Sequence, residues 1–159
     1  MLVSKKIILR TLKKSDLSFL KHIENNSDNW IFGSENRVFN DKELLQYIKH
    51  SKDNIVSAKQ FRWLIEYNNH SVGFVDLYDY NLTYAYLGII IESNFRNKGF
   101  AKQSINIITK YSFNVLRLER LYSKVLTSNS VSINLFNSCD FKLYSQNDKF
   151  QIFVKLATQ

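Results

Sequence analysis

The sequence predicts a mixed α/β fold on one sheet, antiparallel in its first half and carrying a parallel β-α-β crossover in its second. Three observations predict it. Segments 61–66, 72–78 and 84–92 read as consecutive strands, two of them joined by the tight turn Asn68-Asn69-His70. The rhythm then changes to helical spacing from Gly99 to Leu116, through Ala101, Ile105, Ile108 and Val115. Strand-like residues resume at Leu121–Leu126 and at 141–156.

The elements follow in order. Lys6–Arg10, with β-branched Ile7 and Ile8, is expected as the first strand. Ser15 can cap a helix reaching about Glu24, with Leu17, Leu20 and Ile23 on one face. Asn40-Asp41-Lys42-Glu43 has the form of a capping box and opens a helix carrying Leu44, Leu45 and Ile48. In the strand 61–66, Phe61, Trp63 and Ile65 share one face, and Arg62, Leu64 and Glu66 share the other. Asparagine tolerates positive φ, which suits the turn that follows. A short helix is expected from Ser130 to Cys139, then strands Phe141–Ser145 and Lys149–Leu156 around a turn at Gln146-Asn147-Asp148.

The chain has 159 residues, read as a single domain spanning 1–159 and long enough to bury a core. An apolar fraction of 45% excludes a disordered class. One cysteine, Cys139, excludes an internal disulfide and fits a reducing, cytoplasmic compartment. No apolar run is long enough for a signal peptide or a membrane span, so no membrane partner is expected. The net charge of +8 is spread along the chain with no basic run longer than two, and no nucleic-acid reading motif accompanies it. His22, His50 and His70 lie far apart, so no metal site is expected.

The informative stretch is Ile89-Ile90-Ile91 leading through Glu92-Ser93-Asn94-Phe95 into Arg96-Asn97-Lys98-Gly99-Phe100-Ala101. A hydrophobic strand runs into a basic loop that opens a long helix. The first turn of a helix has unsatisfied N–H groups and a positive dipole end, which suits a phosphate or pyrophosphate. Gly99 and Ala101 are small enough for close backbone approach, and Arg96 and Lys98 supply countercharge. On its own this short pattern also describes an ordinary strand-to-helix turn with a solvated tip.

A second motif stands about thirty residues on: Asn129-Ser130-Val131-Ser132-Ile133-Asn134-Leu135-Phe136, ahead of Asp140-Phe141. With Leu9-Arg10 and Ser15-Asp16-Leu17 near the start, the ordered pair resembles the GNAT superfamily of N-acetyltransferases from about Lys6 to Leu156. The likeness is to the branch that acetylates ribosomal-protein N-termini and polyamines such as spermidine. Arg96 to Ala101 matches that family's Gln/Arg-x-x-Gly-x-Gly/Ala motif.

The resemblance implies a mostly antiparallel sheet of about seven strands flanked by about four helices, with a splayed parallel pair in the middle. It implies acetyl-CoA as donor and a small-molecule or protein amine as acceptor: a polyamine, a protein N-terminus or an amino sugar. Ile89, Ile90, Ile91, Arg96, Asn97, Lys98, Gly99, Phe100, Ala101, Asn129 and Phe136 are then the expected coenzyme-binding residues. Backbone groups of Ile89 and Ile91 would hold the pantetheine arm by strand augmentation. A backbone N–H near Ile90 or Ile91 would face the developing oxyanion, so Ile91 is placed in the catalytic set. Asn129 would bond the arm or cap the next helix, and it suits either role. Phe136 stands where the family carries a proton-donating tyrosine, so an alternative reading is a non-catalytic acyl-CoA-binding regulatory module. Asp140 stands where glycine is usual, and aspartate tolerates the left-handed conformation needed there.

Asp76, Asp79, Tyr86 and Glu92 lie on or beside the strands expected to line the acceptor cleft. Asp79 is the expected base, although turn initiation is aspartate's commonest role. Tyr86, and Glu35 from the first helical region together with Glu24, are expected on the acceptor side. Edge strands at the C-terminus suggest a homodimer.

Overall fold

The computed structural model describes residues 1–4, 6–32 and 35–158. Its first strand, β1 (Leu2–Val3), lies antiparallel to β2 (Ile8–Arg10), pairing Leu2 with Leu9. The expected first strand is therefore shorter than Lys6–Arg10 and gains a partner that two residues of local sequence could not announce. Ser15 does not cap the first helix. It lies inside a 3-10 turn, Lys14–Asp16, and helix α1 (Leu17–Glu24) follows directly. The Asp16 carboxylate accepts from the Lys13 N–H at 2.6 Å and from the Arg10 guanidinium at 2.8 and 2.9 Å. Arg10 also donates to Glu66 at 2.7 Å, so one guanidinium joins the chain's opening to the sheet.

Helix α2 (Asp41–His50) opens on the capping box its sequence announces: Glu43 N–H donates to Asn40 Oδ1 at 3.0 Å, and Asn40 N–H donates back to Glu43 Oε2 at 2.9 Å. A one-turn helix α3 (Ile55–Ala58), absent from the sequence reading, leads into β3 (Phe61–Tyr67). Asn68 and Asn69 both take positive φ (47° and 63°), so β4 (His70–Tyr78) returns as a tight hairpin. Strand β5 (Tyr84–Ile91) completes the antiparallel meander. Helix α4 (Phe100–Asn114), strand β6 (Arg120–Leu126), helix α5 (Ser130–Ser138) and strands β7 (Lys142–Gln146) and β8 (Phe150–Leu156) follow. Val115, expected on the buried face of α4, lies past its end and is exposed. Asp140 takes the left-handed conformation after α5 (φ 64°).

The strands form one sheet in the order β1-β2-β3-β4-β5-β6-β8-β7, with β5 and β6 as its one parallel pair. Among the described residues the sheet has eight strands and the chain five α-helices, one more of each than expected. Each face has its own core. Leu64 and Phe74 pack under α1 and α2 with Leu20, Ile23, Leu44 and Ile48. Trp63, Ile65, Val75, Leu77 and Leu87 pack under α4 and α5 with Ile105, Ile108 and Phe136. The alternation read in β3 is thus real, and both of its faces are covered. No helix among the described residues is long and apolar enough to cross a membrane.

Candidate active site

The site begins as a break in hydrogen bonding. β5 and β6 pair only at Tyr84, Ala85 and Tyr86, opposite Arg120, Leu121 and Tyr122. Beyond that point β5 stays paired with β4 as far as Ile91, and β6 stays paired with β8, but the two no longer pair with each other. The result is a V in the middle of the sheet. Leu87, before the opening, is 1% exposed, whereas Gly88, Ile89 and Ile90 are all partly exposed.

Backbone polarity alternates along an antiparallel strand. The Glu92 N–H donates to Val72 O, which sets the parity: even-numbered residues of β5 turn their polar groups to β4 and odd-numbered ones turn away. Ile89 and Ile91 therefore present N–H and C=O groups to the V, with no strand beside them. Ile90 does not: its carbonyl faces β4 against Gly73, so of the backbone groups expected near Ile90 or Ile91 to meet an oxyanion, those of Ile90 are turned away from the V. A Cβ at Gly73 would stand 2.2 Å from that carbonyl oxygen, so only glycine permits this approach of β4 to β5.

A 3-10 turn (Ser93–Phe95) links β5 to the loop. Glu92 shapes it, accepting from Asn94 N–H at 3.0 Å and from the Ser93 hydroxyl at 2.8 Å, with His22 of α1 at 3.7 Å. Burial alone would raise the Glu92 pKa, but these bonds outweigh it and hold the carboxyl below its usual range. The Arg96 Nε donates to Ile91 O at 3.0 Å, fastening the loop to the strand end. Asn97 and Gly99 both take positive φ (60° and 82°), and Gly99 is the N-cap of α4 with no side-chain cap. The first N–H groups of α4 are therefore left for a ligand. A Cβ built on Gly99 would meet nothing closer than Gln103 Nε2 at 3.7 Å; that direction is open.

These residues enclose a cleft of about 180 Å³ lined by Ile91, Arg96, Asn97, Gly99, Phe100 and Ala101, together with Phe95, Lys102 and Leu135. Six expected residues are brought together; the last three went unread, although Phe95 and Lys102 flank the motif itself. Lys98 does not line the cleft, and its ammonium sits over the Phe95 ring at 5.3 Å. The Phe100 side chain is buried against Tyr67, so only its backbone faces a ligand. Phe136 is corrected: its ring is 3% exposed and packs on Phe141 and Phe153, and its neighbour Leu135 takes the place at the cleft. The side chain of Asn129 caps α5, accepting from Ser132 N–H at 3.1 Å.

The opposite face of the V carries different chemistry. Tyr78, Tyr86 and Tyr122 stand in a row across β4, β5 and β6, with ring centroids 5.5 and 5.4 Å apart. Burial pushes the Tyr78 phenol up to about 12, with Asp79, Tyr86 and Asp76 adding to it, and burial likewise raises Tyr86. Both stay protonated at neutral pH. Beside them Asp76 receives two bonds from Arg62, at 2.6 and 2.9 Å, and Arg62 also binds Glu24 of α1. This Arg62 centre, with Phe74 and Tyr47 rings around it, joins residues too distant in sequence to have been read together. Asp79 is exposed at the end of β4, with φ 50° and no side-chain hydrogen bond to a described residue. Glu35 is exposed and shares the Arg37 guanidinium with Glu43, at 2.8 and 2.9 Å. Cys139 is buried and its thiol pushed up by burial, as suits a packing residue.

The geometry is a split strand edge leading to a helix N-terminus, with an acidic and aromatic wall across the sheet. The family model of the GNAT acetyltransferase domain matches residues 6–142. The chain is 31% identical over 144 residues to spermidine N(1)-acetyltransferase of Vibrio cholerae, spanning 87% of this chain and 80% of that protein. A crystal structure of the Vibrio cholerae spermidine N-acetyltransferase with CoA and spermine superposes with a TM-score of 0.84 at 27% identity, covering 97% of both chains. The microcin C7 self-immunity acetyltransferase, solved with acetyl-CoA and AMP, shares the fold at 21% identity and a TM-score of 0.80, over 96% of this chain and 93% of its own. The chain belongs to the GNAT acetyltransferase family and is an N-acetyltransferase that draws its acetyl group from acetyl-CoA.

Proposed function

We propose that the chain works as a single GNAT domain that acetylates a primary amine of a small polyamine-type acceptor. The observation that carries this reading is the edge of β5 at Ile89 and Ile91, beside which no strand lies among the described residues, running into the open N-terminus of α4. Two uncapped groups of backbone donors in series suit an extended amide-bearing arm that ends in a pyrophosphate. The residues present fit acetyl-CoA: Asn97 to Ala101 would hold its pyrophosphate by backbone N–H groups, and Ile89 and Ile91 would hold its arm. The polyamine acceptor is supported by the relative that acts on spermidine and by the solved relative that binds spermine.

Bound there, the coenzyme supplies an acetyl thioester. The amine nitrogen forms the new C–N bond as the C–S bond breaks, the amine gives up a proton, and the sulfur leaves as a thiolate. The Ile91 N–H, which faces the V as the Ile89 N–H does, would meet charge developing on the carbonyl oxygen. For the amine's proton the candidates narrow by elimination. Asp76 and Glu24 are engaged by Arg62, and Glu92 is engaged as a cap. Asp79, exposed beside Tyr78 and Tyr86, is the carboxylate left to accept it. Phe136 has no proton to give, so the thiolate is protonated by water. The non-catalytic alternative finds no support in the comparisons.

The free, buried Cys139 suits a cytoplasmic protein. Copies of the chain are proposed to associate through the edge strand β7, whose Leu143 and Tyr144 are exposed; the Vibrio cholerae relative has been solved as a dodecamer. The test is thiol release from acetyl-CoA with spermidine, the product identified by mass. Acetylated amine with stoichiometric thiol is expected; no turnover with spermidine or any simple amine removes the reading.

A further inference from the structure

Gly88 occupies the place in β5 where the strand has just lost its neighbour β6. It pairs with Asp76 and shares the α1–α2 face with Tyr86 and Ile90, opposite the cleft at the head of α4. The V therefore opens through the sheet, with the coenzyme cleft on one face and Gly88 on the other. We propose that the hollow over Gly88 seats the carbon next to the acceptor's reacting nitrogen, and that Gly88 selects unbranched primary amines, R–CH2–NH2, over amines on a branched carbon. This rests on the reading of the chain as an amine acetyltransferase.

The size of the hollow is fixed by its walls. A Cβ at Gly88 would lie 3.5 Å from Tyr78 Cε1, 3.9 Å from Asp76 Cβ and 4.0 Å from Asp76 Oδ2. Those are ordinary contacts, so a single carbon fits there against Tyr78 and Asp76, and the fold does not require glycine. Its backbone is not in the left-handed region either. A methylene fits this space, while a second substituent on the same carbon meets the Tyr78 ring or the Asp76 carboxylate.

The charge of the wall points the same way. Asp76 and Glu24 share the single guanidinium of Arg62, which leaves one negative charge in excess. One ammonium end is balanced there, flanked by the rings of Tyr78 and Tyr86. The end of a polyamine has this form. An amino-acid α-amino group and a ring-bound amino sugar do not, since each carries its nitrogen on a branched carbon.

The test measures thiol release from acetyl-CoA by the full chain with 1,4-diaminobutane and with alanine amide. For the wild type, kcat/KM is expected to favour the diamine at least about tenfold, the effect of one misplaced carbon in a tight pocket. In Gly88→Ala the diamine KM is expected to rise about tenfold, with calorimetric acetyl-CoA affinity unchanged. Equal use of the two amines by the wild type overturns the proposal without any variant. An unchanged diamine KM in a folded Gly88→Ala also overturns it while leaving the acetyltransferase reading intact. Absence of turnover with every primary amine overturns both.

Discussion

The two halves of β5 differ in what their backbone does. Tyr84 to Tyr86 is paired to β6, and at Tyr86 the strand is paired on both sides, to β4 as well. Gly88 to Ile91 is paired on one side only. Side chains do not create this difference, since Leu87 and Ile89 are both aliphatic and point to the same face. A backbone group without a partner inside a sheet is costly. An open edge in the middle of a sheet is therefore a place for something else to bind, and Ile89 and Ile91 become a site because a neighbouring strand leaves.

The largest test of this contrast is Gly73, which holds the open half of β5 against β4. Gly73→Ala would put a Cβ 2.2 Å from the Ile90 carbonyl. The backbone must move, and a loss of about 3 kcal/mol or more in denaturant unfolding is expected, against a negligible loss for Gly88→Ala. Equal, small losses at both glycines would mean that the β4–β5 approach is slack.

Gly99 sharpens the ligand side. Gly99→Val forces a β-branched residue to φ 82°, at a cost of roughly 1–2 kcal/mol in stability. Gly99→Asn keeps the conformation, because asparagine tolerates it, yet places atoms in the open direction before the α4 N–H groups. Both are expected to weaken acetyl-CoA binding more than tenfold by calorimetry, with only the valine variant losing stability. Full affinity in the asparagine variant would take the pyrophosphate away from this loop.

On the acceptor wall, Asp79→Asn is expected to lower kcat about 100-fold with acetyl-CoA affinity unchanged, the usual scale for losing a general base. Unaltered kcat would leave Asp79 with only its turn. For Asn129 the cap and the arm contact separate cleanly. Asn129→Ala should cost about 1 kcal/mol of stability, and Asn129→Asp should keep the cap while losing the amide donor. A fall in coenzyme affinity for Asn129→Asp alone identifies the arm contact.

A smaller effect marks the paired end of the sheet. Burial would raise the Asp16 pKa, but the Arg10 bond and the Lys13 N–H outweigh it and the folded value is depressed. Its contribution is therefore present above the ordinary carboxylate value near ~4 and lost as pH falls through the lower folded value. Asp16→Asn should be less stable at neutral pH and show a flatter acid limb in a denaturation series.

What could be read from the sequence is what is local. The Asn40–Glu43 box, the Asn68-Asn69 turn and the loop at Gly99 are each set by three or four adjacent residues, and each stands in the structure as expected. What could not be read is what distant pairing decides. Nothing in Leu2–Val3 announces a strand until β2 lies beside it. Arg62 reads only as a residue on the second face of β3, with Leu64 and Glu66, until Glu24 and Asp76 arrive from 38 and 14 residues away. Phe136 falls at the motif position expected to touch coenzyme, but α5 is turned so that Leu135 faces the cleft and Phe136 the core.

The central claim is most directly tested by amide hydrogen exchange at Ile89 and Ile91, with and without acetyl-CoA. Fast exchange is predicted in the free protein, although Leu87 and Ile90 on either side of Ile89 are protected, and strong protection is predicted on binding. Amides at Ile89 and Ile91 that are already protected, or that stay fast with the coenzyme saturating, would contradict the account.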